Sequence, residues 1–105
     1  MHISTKTALE KLEESKHLFF ELFHHGTLNV EIYKPDEIDL QMPHERDEIY
    51  VIVSGTGKFI NGDRTISFQP GDFLFVPAGM EHRFLNFTKD FSTWVFLYGQ
   101  KGGEK

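Results

Sequence analysis

The stretch GDFLFVPAGMEHRFLN, residues 71–86, reads as strand, turn, strand. FLFV is short and apolar, and it lies between two turn sequences, Gln69-Pro-Gly-Asp72 and Pro77-Ala-Gly79, which predicts a buried strand over 73–76. HRFLNF predicts another strand directly after the second turn. Side chains alternate along a strand, so His82, Phe84 and Asn86 fall on one face. Pro77 and Gly79 read as the bend that delivers His82, and Asn86 reads as a brace for a turn or backbone.

Upstream, PHERDEIYVIVSG, residues 43–55, presents the same kind of face. Glu48, Tyr50 and Ile52 share it, and His44 joins them if the strand extends back through Glu45-Arg46-Asp47. If the two strands are neighbours, His44, Glu48 and His82 converge, with the His44 ring turned inward through Nε2. Two imidazoles and a carboxylate supply nitrogen and oxygen donors to one divalent transition metal, Fe, Mn, Ni or Zn, and leave coordination positions open. The alternative is that Glu48 pairs with an arginine and both histidines are hydrogen-bonded rim residues. Glu45, Arg46, Asp47 and Arg83 read as a solvated charged rim.

The rest of the chain is consistent with β structure. In LNVEIY, residues 28–33, apolar and polar residues alternate with period two. Asn61-Gly62 separates two strand-like runs and predicts a tight hairpin. FSTWVFLYG supplies a last strand, and His24-His25 reads as a strand end. Short, evenly spaced strands of this kind build a sandwich or small barrel. Before them Ala8, Leu9 and Leu12 fall at helical spacing, with Ser4, Thr5 and Thr7 as capping candidates, which predicts one amphipathic helix, about residues 5–16, packed outside the barrel. The barrel spans about 18–99, and the polar, glycine-rich tail over 100–105 is expected to fray.

Composition limits the function classes. A chain of 105 residues without a composition break reads as a single domain, and one this small gains from pairing with a second copy, so a homodimer is expected. Net charge is −5 and the 11 Lys and Arg are scattered, which argues against nucleic acid. With no cysteine there is no disulfide, thiolate metal site or cysteine nucleophile. No apolar run approaches membrane-spanning length and the start lacks the apolar block of a secretory signal, so the expected setting is cytoplasmic.

Taken together, the two motifs resemble those of the cupin superfamily. Gly71, Pro77, Gly79, His82 and Asn86 match the fixed positions of its second motif, and His44, Glu48 and Gly55 match the later half of its first. Residues 56–70 separate them, a short spacer that resembles the small single-domain microbial cupins. The resemblance implies an all-β double-stranded β-helix, or jelly-roll barrel, often dimeric and holding a metal near its centre. Cupins of the His-x-His type have a histidine two residues before His44, where this chain has Met42. A thioether is a poor partner for cations that favour imidazole and carboxylate, so Met42 reads as pocket wall. Some cupins, phosphomannose isomerases among them, use glutamine near this place. That makes Gln41 the further ligand candidate, although strict alternation points it away. Cupins lacking part of the ligand set include metal-free members.

Tyr50 and Phe84, each two residues from a candidate ligand on the same face, are the expected cavity walls. A narrow apolar cavity suits a small organic molecule with one chelating end. Two function classes follow: a metal-dependent enzyme of dioxygenase or isomerase type, or a non-catalytic module that binds or senses a metal or metabolite.

Overall fold

The computed structural model describes residues 1–105. One helix, α1 (Thr5–Ser15), precedes eight strands: β1 (Phe19–His25), β2 (Leu28–Tyr33), β3 (Asp47–Ser54), β4 (Gly57–Asn61), β5 (Arg64–Phe68), β6 (Phe73–Val76), β7 (His82–Leu85) and β8 (Ser92–Tyr98). They form two antiparallel sheets, a five-stranded one in the order β1-β2-β8-β3-β6 and a three-stranded one in the order β5-β4-β7. This is the expected all-β jelly-roll architecture with a short N-terminal helix.

Alternation along β3 builds the interior: Glu48, Tyr50 and Ile52 are buried, while Ile49 and Val51 on the other face are half-buried. Tyr50 and Ile52 join Tyr33, Phe59, Phe68, Leu74, Val76, Phe84, Phe91 and Val95 in one core cluster between the sheets. Aromatic rings dominate it, with Tyr50 and Phe84 meeting edge-on at 4.9 Å between centroids. On the outside of the larger sheet, Ala8 and Leu12 of α1 pack on Ile32. Ser4 caps that helix by accepting a hydrogen bond from the Thr7 N–H.

Several expectations need correction. FLFV is not buried on both faces: Leu74 and Val76 face the core, whereas Phe73 and Phe75 lie on the exposed face of an edge strand. In the β4–β5 hairpin Asn61 pairs with Arg64, so the two turn residues are Gly62 and Asp63, one position later than Asn61-Gly62 suggests. Gly62 takes φ +64° and Asp63 does not join the positive-φ residues, the pattern of a turn that demands glycine only at its first central position. Strand β7 stops at Leu85 because Asn86 turns to φ 51°. The tail is not frayed in this structure: the Gly102 N–H donates to the Glu45 carbonyl, the Glu104 N–H donates to Asp47 Oδ2, and Gly103 is buried.

Gly55 and Gly79 both have positive φ, +86° and +80°, but their surroundings differ. A Cβ on Gly55 would stand 2.5 Å from the Phe91 Cα, whereas one on Gly79 would meet nothing within 4 Å. The conformational penalty for alanine, about 1–2 kcal/mol, applies at both positions. The backbone overlap applies only at Gly55. Gly55→Ala is therefore expected to lower the melting temperature clearly more than Gly79→Ala, by thermal denaturation of the two variants; equal losses would contradict the close approach.

Candidate metal centre

His44, Glu48 and His82 each offer a ligand atom, and these atoms lie within 4.8 Å of one another. Glu48 is at the centre: its Oε1 is 2.9 Å from His44 Nδ1 and 3.1 Å from His82 Nε2. The convergence is as expected, but the route to it differs in three respects. β3 and β7 are not paired neighbours. They belong to opposite sheets, so Glu48 and His82 meet across the interior. His44 is not on a strand, because β3 begins at Asp47; its carbonyl is held instead by the Gly79 N–H at 2.8 Å, which ties the approaching loop to the Pro77-Ala-Gly79 turn. And the His44 atom that faces Glu48 is Nδ1, not Nε2.

His82 is oriented by its other nitrogen. Its Nδ1 is 3.0 Å from the Met80 carbonyl oxygen, which can only accept, so Nδ1 carries a proton and donates. A backbone carbonyl in that position is the usual device that aims a ligating histidine. Nε2 is thereby left facing the carboxylate. It is within ion-pair reach of Glu48 at 3.1 Å, yet it has no properly directed hydrogen-bond partner. We regard the contact as electrostatic. A buried ring nitrogen without a partner, a buried carboxylate and a second imidazole form a donor set that fits a first-row divalent cation.

The electrostatics are mutual. Burial alone would raise the Glu48 carboxyl, but the hydrogen bond with His44, the His82 contact and the charges of the two rings hold it below its ordinary value. Burial likewise opposes protonation of His82; the Glu48 contact, the Met80 carbonyl and nearby negative charge prevail and raise it. On β2, burial and then the Glu48 charge push the Glu31 carboxyl up. Burial pushes the Tyr50 phenol well up, reinforced by Glu48, and does the same to Tyr33, reinforced by Asp39.

A cleft of about 330 Å³ borders the centre on one side, where His82 lines it together with Gln41, Met42, Pro43, Ile60, Glu81 and Arg83; His44 and Glu48 are not among its walls. Met42 is 75 % exposed and sits at its rim. Tyr50 and Phe84, expected as cavity walls, are fully buried in the core and do not line this cleft; the Tyr50 ring lies 6.0 Å from that of His82. Gln41 is half-buried, its Nε2 donating to Asp39 Oδ2 at 2.9 Å and its Oε1 accepting from the Tyr50 hydroxyl at 2.8 Å. A larger cleft, about 580 Å³, lies by the end of α1 and contains none of the triad, so we place the site at the smaller one.

Three groups here escape the sequence reading. Asp39 is buried and accepts hydrogen bonds from Tyr33, Gln41 and Phe84. Asp47, read as solvated rim, is buried and accepts from the Ala78 and Glu104 N–H groups. Arg46, read likewise, donates to the Thr27 carbonyl and to Asn29.

A jelly roll with two histidines and a glutamate converging between its sheets defines a small barrel protein with a candidate metal site. The chain belongs to the cupin family: the model described as cupin domain matches residues 29–98. An uncharacterised protein of Streptomyces coelicolor is 30 % identical over 79 residues, covering 73 % of this chain and 75 % of that one. Acireductone dioxygenase of Rhodopseudomonas palustris is 47 % identical over 45 residues, 39 % of this chain but only 27 % of that enzyme. Among solved structures, protein NMB1881 of Neisseria meningitidis superposes with a TM-score of 0.74 at 17 % identity, covering 94 % of this chain and 100 % of that one, a likeness of fold.

The shifts set a pH dependence for the metal-free protein. Glu48, lowered from 4.5, contributes stability that is complete above that value and is lost as pH falls through the lowered one. His82, raised from 6.5, contributes stability that is complete below 6.5 and is lost as pH rises through the raised value. After chelator treatment, the stability advantage of the wild type over Glu48→Gln should be largest between 4.5 and 6.5 and shrink above it, measured by urea denaturation across pH. An advantage still growing at higher pH would contradict the pairing.

Proposed function

We propose that this chain is a mononuclear metal protein in which His44, Glu48 and His82 hold one divalent transition metal, Fe, Mn, Ni or Zn, with Gln41 the fourth candidate donor, and that it acts on a small organic molecule with a chelating end. The observation that carries the reading is the buried Glu48 carboxylate set against two imidazole nitrogens, one of them without a hydrogen-bond partner. When bound, the cation supplies Lewis acidity or, as iron, redox chemistry toward dioxygen.

The chain's own residues set the terms. Glu48 and His82 come from strands of opposite sheets and fix two donors, while His44 approaches from the connecting loop and is 34 % exposed. Gln41, Met42 and Pro43 line the cleft beside His82, and the buried Tyr50 ring packs behind His82. The stretch shared with acireductone dioxygenase, 27 % of that enzyme, supports the dioxygenase-like form of this reading over the isomerase-like one. One observation favours the alternative, a non-catalytic binding or sensing module: the Tyr33 and Tyr50 phenols are both pushed up, so neither exchanges a proton readily near neutral pH, and no other acid–base pair stands out.

A homodimer fits the same reading. Exposed Phe73 and Phe75 pair in register with Val51 and Ile49, and Phe96, which is not packed on the α1 cluster, extends this apolar face, whereas Trp94 packs against that cluster. Large exposed apolar patches of this kind mark association surfaces.

Protein purified without chelators is expected to carry about one transition metal per chain by mass spectrometry, and His82→Ala to lose it while keeping its β-rich circular dichroism. Retained stoichiometric metal in that variant would place the site elsewhere. Oxygen uptake or isomerisation with hydroxyketones, diketones or sugars distinguishes enzyme from binder. Sedimentation should show a dimer that Phe73→Glu converts to monomer; a wild type that sediments as a monomer would remove that part of the proposal.

A further inference from the structure

The connection between β2 and β3, residues 34–46, carries both Gln41 and His44. At its middle Asp39 is 1 % exposed, while its neighbours Ile38 and Leu40 are 62 % and 78 % exposed, the reverse of what hydrophobicity dictates. The Asp39 carboxylate accepts four hydrogen bonds. Oδ1 receives the Tyr33 hydroxyl at 2.7 Å and the Gln41 backbone N–H at 3.2 Å. Oδ2 receives Gln41 Nε2 at 2.9 Å and the Phe84 N–H at 2.8 Å. Tyr33 belongs to the larger sheet and Phe84 to the smaller, so one side chain ties the loop to both.

The same carboxylate sets the polarity of a neighbour. A carboxylate only accepts, so the end of the Gln41 amide that meets Asp39 has to be the NH₂ group. The amide oxygen is therefore the end that meets the Tyr50 hydroxyl, and that oxygen keeps a second lone pair. Gln41 and His82 wall the same cleft.

We propose that Asp39 is a positioning residue for the metal centre: it locks the loop that carries His44 onto both sheets and fixes Gln41 so that its amide presents an oxygen acceptor instead of an N–H donor beside Tyr50. Asp39 does not itself ligate; its four hydrogen bonds are already committed. The proposal rests on the metal reading above. Groups that orient ligands from behind typically change metal affinity 10–100-fold when removed.

The test is titration of metal-free protein with Co(II), followed by the visible d–d bands, which report affinity and ligand geometry separately from fold stability. Asp39→Ala and Gln41→Met are expected to bind Co(II) about tenfold or more weakly with altered bands. Tyr33→Phe removes the tie to the larger sheet and leaves the Gln41 pair intact, so it should lower the melting temperature and weaken Co(II) binding less than Asp39→Ala does, with the bands unchanged. A wild type that does not bind Co(II) defeats the metal reading and this inference with it. If the wild type binds, wild-type affinity and bands in folded Asp39→Ala overturn this inference alone, as does a Tyr33→Phe variant as impaired as Asp39→Ala. Should Asp39→Ala fail to fold, Gln41→Met decides: weakened binding with altered bands supports the proposal, and unchanged binding overturns it.

Discussion

Burying the Glu48 carboxylate costs several kcal/mol unless it is paired, and the way this protein pairs it shapes one whole end of the barrel. The partner from the opposite sheet, His82, requires the two sheets to close face to face at that height. The partner from the loop, His44, requires residues 34–46 to fold back over the opening. Both depend on the register of β3, in which Glu48 lies opposite Leu97 on β8 and Val76 on β6. A slip of one residue would turn Glu48 outward and put Asp47 or Ile49 in its place.

Three buried acids share this end of the molecule, and their hydrogen-bond partners separate their roles. Asp47 accepts from two backbone N–H groups, Ala78 and Glu104, and thereby holds the Pro77-Ala-Gly79 turn and the C-terminal tail. Asp39 accepts from Tyr33, Gln41 and Phe84 and holds the loop. Both are satisfied by donors that belong to the fold. Glu48 differs in having only ring nitrogens around it. A protonated imidazole can release its proton to solvent and offer the freed lone pair to a metal, which a backbone amide does not readily do, so Glu48 is the acid of the three whose neighbours could make room for a cation.

Features governed by local periodicity were legible in the sequence. The alternation of β3 placed Glu48, Tyr50 and Ile52 on the inner face, and the spacing of Ala8 and Leu12 placed the helix against the sheet. Residues whose environment comes from distant backbone were not. Asp47 neighbours Glu48 and alternation puts it on the other face, where solvent is the ordinary expectation; it is buried because the tail, more than fifty residues later, covers it. Asp39 sits between two apolar residues in a loop, and no local rule brings the Phe84 N–H to it from β7. His44 reached the site by a route that strand parity does not describe, since Pro43 and the coil ahead of Asp47 replace the strand that alternation presumes.

That difference bears on how firmly each donor is held. Glu48 and His82 project from strands inside a close-packed aromatic core, with side chains 1 % and 0 % exposed, and their geometry is fixed when the sheets close. His44 depends on three tethers outside any strand ladder: its carbonyl bound to Gly79, the Glu45 carbonyl bound to Gly102, and Asp39 upstream. Exchange of a cation with solvent requires at least one donor to withdraw, and the one with the fewest packed neighbours withdraws at least cost. The half-exposed His44 is that donor. A cation held here would therefore owe its affinity less to the two buried candidate donors than to the hydrogen bonds that order residues 39–46.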